Sequence, residues 1–358
     1  MLVTTPLDKS ITVKRLLKLW AARYVPDLST LSLTTNKCTT IELMEAASRQ
    51  GRDKTATKLS RLIEIHCKCA GIRTSILFSY IPNVVNLTES QGIATSSAQV
   101  YEKVLSVYRK QSPTPSLMEA LSEADTVDIS TDLYKISVMP KLELPEVSSL
   151  VTILTPELMQ FQSQHLSANN QNTLGFMSTQ FHLSSKVLLN RLSLPEQLLL
   201  SPYFKFVEEQ VCIPWQRVCT AAAQHSLNSP VLALIEQLIP KSQEIATRVY
   251  RHALERYPTY RSRRGKLDHP EVKASSIRDV EMFQAYLWVC VLEQSMAAME
   301  KELYPLCEMV YPSVSVSWEL VESMVGLLVD KILIRLDSEQ QSIVQPYTTA
   351  MQKLFACR

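Results

Sequence analysis

The densest concentration of chemically capable side chains lies in residues 248–266, RVYRHALERYPTYRSRRGK. There seven Lys or Arg stand against a single acid, Glu255, with Tyr250, Tyr257 and Tyr260 between them. Cations in such a mixture grip phosphates or acidic protein surface while the rings stack or pack beside them. The part before Pro258 has helical spacing and brings Arg248, Arg251 and Glu255 together, and the part after it reads as a loop displaying Arg261, Arg263 and Arg264. The competing reading is a solvated helix end and loop, with arginines satisfying the last carbonyls and the acids of the next helix. The partner-binding residues expected from this segment are Arg256, Tyr257, Tyr260, Arg261, Arg263, Arg264 and Lys266.

Other clusters carry less. His66-Cys67-Lys68-Cys69, with Cys38 upstream, offers zinc-type donors but neither the paired C-x-x-C nor the H-x-x-x-H spacing of a structural site, so buried thiols on a helix are expected and no metal. Cys212 and Cys219 stack on one helical face only if the helix survives Pro214, and they read as core residues. Glu208 and Glu209 are adjacent, and adjacent helical side chains diverge by about 100°, so they do not converge on one substrate. No His has a Glu three positions before it, which removes the helical di-iron pattern, and His252 with Glu255 reads as a surface hydrogen bond. No catalytic residue and no cofactor is expected, and the chain reads as a non-enzyme.

A helix-turn-helix is the remaining motif to weigh. Ala47 and Gly51 sit four apart, as the small residue and turn glycine of that motif would, ahead of a Lys- and Thr-rich segment. The register then supplies Thr57 and Ser60 where apolar residues are needed, and a three-helix packing domain is the better reading.

Glycine scarcity bounds the elements that must hold these residues. An average chain of this length carries roughly 25 glycines; this one has 6 in 358 residues, none closer than 20 positions to the next. P-loops, G-x-G-x-x-G turns and nucleophile elbows, which need paired glycines, are therefore absent. Hairpins and bulges also consume glycine, so an all-α fold is expected. A net charge of +2, from 37 basic and 35 acidic residues, gives no global pull toward nucleic acid or membrane. The eight cysteines and the lack of an apolar secretory core at the N-terminus read as reduced thiols in a cytoplasm. The run AYLWVCVL, residues 285–292, is too short to span a bilayer, so no transmembrane segment is expected, while peripheral membrane association stays open.

Periodicity predicts a basic amphipathic helix after Ser10, helices over 40–50 and 55–70, and one over 97–110. The stretch 132–147 alternates like short extended pieces. Beyond residue 156, prolines punctuate helices of ordinary length. One is expected from a capping box at Ser276 to about residue 303, and another from Trp318 through Leu336 with Glu322, Asp330, Lys331 and Arg335 toward water. The expected organisation is an N-terminal helical domain over 1–82, a linker with one helix and possible short strands over 83–155, and a C-terminal helical bundle over 156–358.

The stretch LGFMSTQFHLSSKVLLNRLSLPEQLLLSPYFKFVEEQVCIPWQRVC, residues 174–219, resembles helical proteins of unassigned chemistry from cyanobacteria, which implies a bacterial or plastid-related setting and assigns no residue a role. The leading expectation is a helical adaptor, regulatory or assembly protein that binds a partner protein through the basic segment. The alternative is a nucleic-acid-binding transcriptional regulator, whose affinity would fall steeply with salt. A helical enzyme or cofactor carrier with a buried pocket lined by Met, Tyr and Cys is the third.

Overall fold

The computed structural model describes residues 10–21, 23–24, 39–79, 81, 84–123, 142, 144, 147–165 and 172–356. The fold is all-α, as glycine scarcity requires, and the only strands among the described residues are two of two residues each. The helices are α1 (Ile11–Ala21), α2 (Thr40–Ala47), α3 (Arg49–Ser60), α4 (Ile63–Leu77), α5 (Leu87–Lys110), α6 (Pro115–Glu123), α7 (Val147–His165), α8 (Asn172–Leu189) and α9 (Leu194–Cys212). They continue as α10 (Trp215–Ala222), α11 (Pro230–Leu238), α12 (Ser242–Arg256), α13 (Pro270–Glu293), α14 (Tyr304–Ser313), α15 (Trp318–Leu333) and α16 (Ser338–Leu354). Strands β1 (Arg261–Ser262) and β2 (Gly265–Lys266) lie between α12 and α13. No helix among the described residues is long and apolar enough to cross a membrane.

Segments interleave into two compact units, one of residues 21–167 and 176–211, the other of 1–20, 168–175 and 212–358. In the first, α5 is the hub, packed against α3, α4 and α7. Arg52 of α3 is 2% exposed and donates to the carbonyls of Tyr108 (3.0 Å) and Gln111 (2.9 Å), closing the C-terminus of α5. Its guanidinium also lies 4.6 Å from the centre of the Tyr108 ring, so the cation is held by carbonyl dipoles and a π face. The break at Ser48 separates α2 from α3, where one helix over 40–50 was expected. A Cβ on Gly51 would fall 2.1 Å from the Glu45 carbonyl, so the glycine is what lets the two helices meet there. Gln180 donates to the Cys67 carbonyl at 2.8 Å, and Arg23 pairs with Glu209 at 3.0 Å with both side chains buried.

In the second unit, α13 is the hub, with α10, α11, α12 and α16 packed on it. Every residue from Val280 to Leu292 is buried, polar Glu281 and Gln284 included, and Gln284 donates to the Ser242 carbonyl at 3.0 Å. A helix apolar on all sides belongs in a core, and that is where the run AYLWVCVL goes. Trp20 of α1 stacks on Trp215 with centroids 4.3 Å apart and meets Trp288 edge-on at 5.7 Å, so three large rings join α1, α10 and α13 within this unit.

Several boundaries differ from those the sequence suggests. Helix α13 begins at Pro270, with His269 as N-cap, and Ser276 lies inside it; a proline at the first helical position needs no amide, so it starts the helix there rather than interrupting it. The helix stops at Glu293 and a π-helical turn occupies Met299–Leu303. Helix α5 starts at Leu87, ten residues before the expected start, because Asn86 caps it by accepting from Glu89 at 2.8 Å. Prolines 156, 202, 312 and 346 sit inside helices instead of between them, where packing outweighs the lost amide bond. Most of the alternating stretch 132–147 lies outside the described residues. Helix α15 follows its expected face, with Leu320, Val321, Val325, Leu328 and Ile332 buried and Glu322 and Asp330 exposed. Arg335 departs from it, since its side chain is only 12% exposed and pairs with Glu244 at 3.1 Å.

The end of α13 shows what glycine scarcity costs. Gln294 adopts a left-handed conformation (φ 51°, ψ 40°) so that the chain can turn back, with the Ser295 amide closing on the Cys290 carbonyl at 3.0 Å. A residue with a Cβ is disfavoured there by about 1 kcal/mol relative to glycine. Gln294→Gly is expected to raise unfolding stability by about 0.5–1 kcal/mol, measured as a shift of the urea midpoint at constant slope.

Candidate partner-binding surface

The basic segment folds as the end of α12, a short linking turn and a two-stranded hairpin. Arg261 pairs with Lys266 and Ser262 with Gly265, leaving Arg263 and Arg264 as the two-residue tip. Gly265 has φ +136°, a conformation open to glycine and strained for other residues. The Ser262 hydroxyl donates to the Gly265 carbonyl at 3.1 Å and accepts from the Arg264 amide at 3.3 Å, which tightens the turn from inside.

The hairpin is clamped to the turn between α14 and α15. The Arg263 amide donates to the Val314 carbonyl at 2.9 Å and its guanidinium reaches the Ser313 carbonyl at 3.4 Å. The Tyr260 hydroxyl accepts from the Ser317 amide at 2.7 Å and donates to the Ser315 carbonyl at 3.3 Å. Ser315 holds a positive φ of 57° beside these bonds. Tyr257 and Tyr260 meet edge to face at 6.5 Å and pack on a small core of Ala253, Leu267, Val272 and Leu320.

The seven expected residues thus divide in two. Tyr257, Tyr260 and Arg264 are half-buried and build the support, whereas Arg256, Arg261, Arg263 and Lys266 are exposed. Burial, and after it the charge of Arg278, makes the Arg264 guanidinium easier to deprotonate than usual, while Asp279 and Glu271 oppose the change. Among the described residues no carboxylate comes within ion-pair distance of Arg256, Arg261, Arg263 or Lys266. Arg248, earlier in the segment, pairs with Glu244 at 2.8 Å. His252 Nδ1 donates to the Arg248 carbonyl of its own helix (2.8 Å), which takes the place of the expected bond to Glu255.

Arg261 and Lys266 stand directly opposite each other, and like charges so placed destabilise an antiparallel pair. The hairpin therefore keeps a local electrostatic cost, with no carboxylate among the described residues in ion-pair distance of Arg261 or Lys266 to offset it. That signal was available in the residue types but not in their spacing, since the register depends on where the turn falls.

The other candidate groups are occupied elsewhere. Helix α3, the second helix of the helix-turn-helix alternative, turns Arg52 into the core and ties Thr55 to Glu196 at 3.0 Å. Glu208 meets His182 at 3.2 Å while Glu209 turns to Arg23, so the two carboxylates diverge. Cys212 ends α9 and Cys219 lies in α10, so the helix does not survive Pro214. An open groove of about 530 Å³ runs past Glu42, Glu45, Lys54 and Glu196. Glu42 is spent in the capping box of α2. Burial works against the charged form of Glu196, but the Ser193 amide and Lys58 outweigh it and hold the carboxyl below its usual range. Among the described residues no group of three or more His, Cys, Asp or Glu could hold a metal ion. Burial pushes the Cys67 thiol to about 12 and the Cys290 thiol to about 11, and raises Cys219 and Cys307 further; Cys69 is exposed.

Over residues 221–354, a little more than a third of the chain, the sequence matches the family model of the phycobilisome proteins, an all-α family. This stretch contains the hairpin and both helices that flank it, and it begins just beyond the residues whose resemblance was to cyanobacterial helical proteins. No curated protein matches the chain, and no solved structure does.

Two outcomes test this geometry. Arg261→Glu places an acid opposite Lys266 and is expected to raise stability by about 0.2–1 kcal/mol, whereas Tyr260→Phe removes the clamp hydroxyl and lowers it by about 1 kcal/mol, both read by urea denaturation. With Cys38 and Cys357 changed to Ser, a thiol reagent at pH 8 should modify one cysteine rapidly, Cys69, and the other five only on unfolding.

Proposed function

We propose that the protein is a non-enzymatic, phycobilisome-related assembly or adaptor protein of the cytoplasm, whose exposed cations Arg256, Arg261, Arg263 and Lys266 bind an acidic surface on a partner protein. The observation that carries the reading is the opposition of Arg261 and Lys266 on a clamped hairpin, with no carboxylate among the described residues in ion-pair distance of either. Residues that break a local rule of stability without internal compensation are the ones to suspect of work outside the fold. The match over 221–354 supports the same setting, because phycobilisome proteins assemble with other proteins and are not enzymes.

Phycobilisome proteins bind pigment, and the residues here can be asked whether they would hold one covalently. The cysteines within 221–354 are Cys290 and Cys307, 0% and 1% exposed, with thiols that burial keeps protonated. A thiol must be reachable and partly ionised to attack. Neither meets that requirement, so covalent attachment at a thiol in the matched stretch does not fit, and the reading rests on assembly rather than pigment.

The deciding experiment is capture of partners from host lysate by the intact protein, with and without nuclease, beside the triple variant Arg256→Glu, Arg261→Glu, Arg263→Glu. Protein capture that survives nuclease and is lost in the variant supports the proposal. Capture that vanishes with nuclease replaces the partner by nucleic acid, and capture indifferent to the variant removes the hairpin from the interface. Arg256 is an exposed site worth about 0.5 kcal/mol or less, Arg261→Glu is expected to stabilise, and Arg263→Glu gives up one bond to the Ser313 carbonyl, so native circular dichroism and an unshifted urea midpoint of the variant separate loss of capture from unfolding.

A further inference from the structure

Helix α4, in the unit of residues 21–167 and 176–211, carries a second surface that the proposed function does not use. Its inner face is fixed by Ile63, His66, Cys67, Ala70, Gly71 and Thr74, all buried. A Cβ on Gly71 would come 3.1 Å from the Gln180 side chain, so the helix is seated close and its orientation about its axis is set. The opposite face presents Ile65, Ile72 and Ile76, exposed by 58, 62 and 67%, with exposed Cys69 between them. Single exposed apolar residues are ordinary, whereas three isoleucines aligned on one helical face form a seam.

The spacing of that seam is four, three and four residues, the interval at which side chains align for packing against another helix. It is also the same read from either end. A second copy of α4 laid antiparallel sets Ile65 against Ile76 and Cys69 against Ile72, twice over, about a two-fold axis midway between residues 70 and 71. Self-complementarity of this kind is what a closed two-fold interface requires. Charge permits it. Glu64 and Lys68 satisfy each other within one copy at 2.6 Å, and Lys68 comes nearest the neutral Ser75 of the other. The two Arg73 residues are staggered by five positions, about 7–8 Å along the axis at 1.5 Å per residue, and exposed enough to be screened.

We infer that this face is a homodimer interface in which two α4 helices pair antiparallel through Ile65, Cys69, Ile72 and Ile76. At about 100 Å² of apolar surface for each isoleucine, the seams together cover well under the roughly 1,200–2,000 Å² of a stable interface. The dimer is therefore weak and concentration-dependent.

Sedimentation equilibrium of the full chain over a hundredfold range of concentration tests it. Wild type should shift reversibly from monomer to dimer, and Ile72→Asp, on an exposed site and checked for native circular dichroism, should raise the dissociation constant at least tenfold. Orientation is read in a background lacking Cys38, Cys69 and Cys357. Ile65→Cys mixed with Ile76→Cys should crosslink with a short thiol reagent, and each variant alone should not. A wild type that stays monomeric throughout overturns the inference, as does a dimer that Ile72→Asp leaves intact or crosslinking by each single variant alone.

Discussion

The 13 consecutive buried residues of α13, from Val280 to Leu292, set the terms for the unit that contains them. A helix buried over its whole circumference has no solvent side, so neighbours must surround it, and α10, α11, α12 and α16 do so. The polar members of the buried stretch then need internal partners, which is why Gln284 reaches the Ser242 carbonyl. Trp288, from the same stretch, needs a ring to lie against and finds Trp20. The abrupt reversal at Gln294 follows as well, since the chain must leave a filled core within one residue.

The first unit shows a different solution to the same scarcity of glycine. Two close approaches fall where glycine is present, at Gly51 between α2 and α3 and at Gly71 against Gln180. Elsewhere polar side chains close the helices. Arg52 caps α5 from a neighbouring helix, and Thr39 and Asn86 cap their own. A buried arginine bonded to carbonyls ties one helix end to another more specifically than apolar contact would.

Composition announced the all-α fold, because a shortage of one residue type excludes whole classes of turn. Periodicity located α15 well, since half of that helix faces water and its apolar residues step by three and four. It fails at α13 for the complementary reason: a helix buried on every side shows no alternation, so the pattern does not separate a start at Ser276 from the one Pro270 sets. The early start of α5 rests on the local Asn86 cap, which the weak apolar pattern after it masks, whereas the prolines within α7, α9, α14 and α16 are hidden because packing partners distant in sequence decide them. The basic segment was legible as charge. That Tyr260 serves the clamp depends on the turn formed by Ser313 to Ser317, some 50 residues away, and that Arg261 faces Lys266 depends on where the hairpin tip falls.

The clamp has a consequence for recognition. Side chains on a freely moving loop must give up conformational freedom when they are captured, and that loss subtracts from affinity. Here the backbone carrying Arg261, Arg263 and Lys266 is already fastened by the Arg263 and Ser317 amides, the Tyr260 hydroxyl and the Ser262 cross-bond. Much of the ordering entropy has thus been spent in folding, and the tip offers its charges as a template of set spacing. For the acidic partner proposed above, such a template would select by geometry as well as by sign, favouring a surface whose carboxylates fit that spacing over one with more charge and the wrong layout.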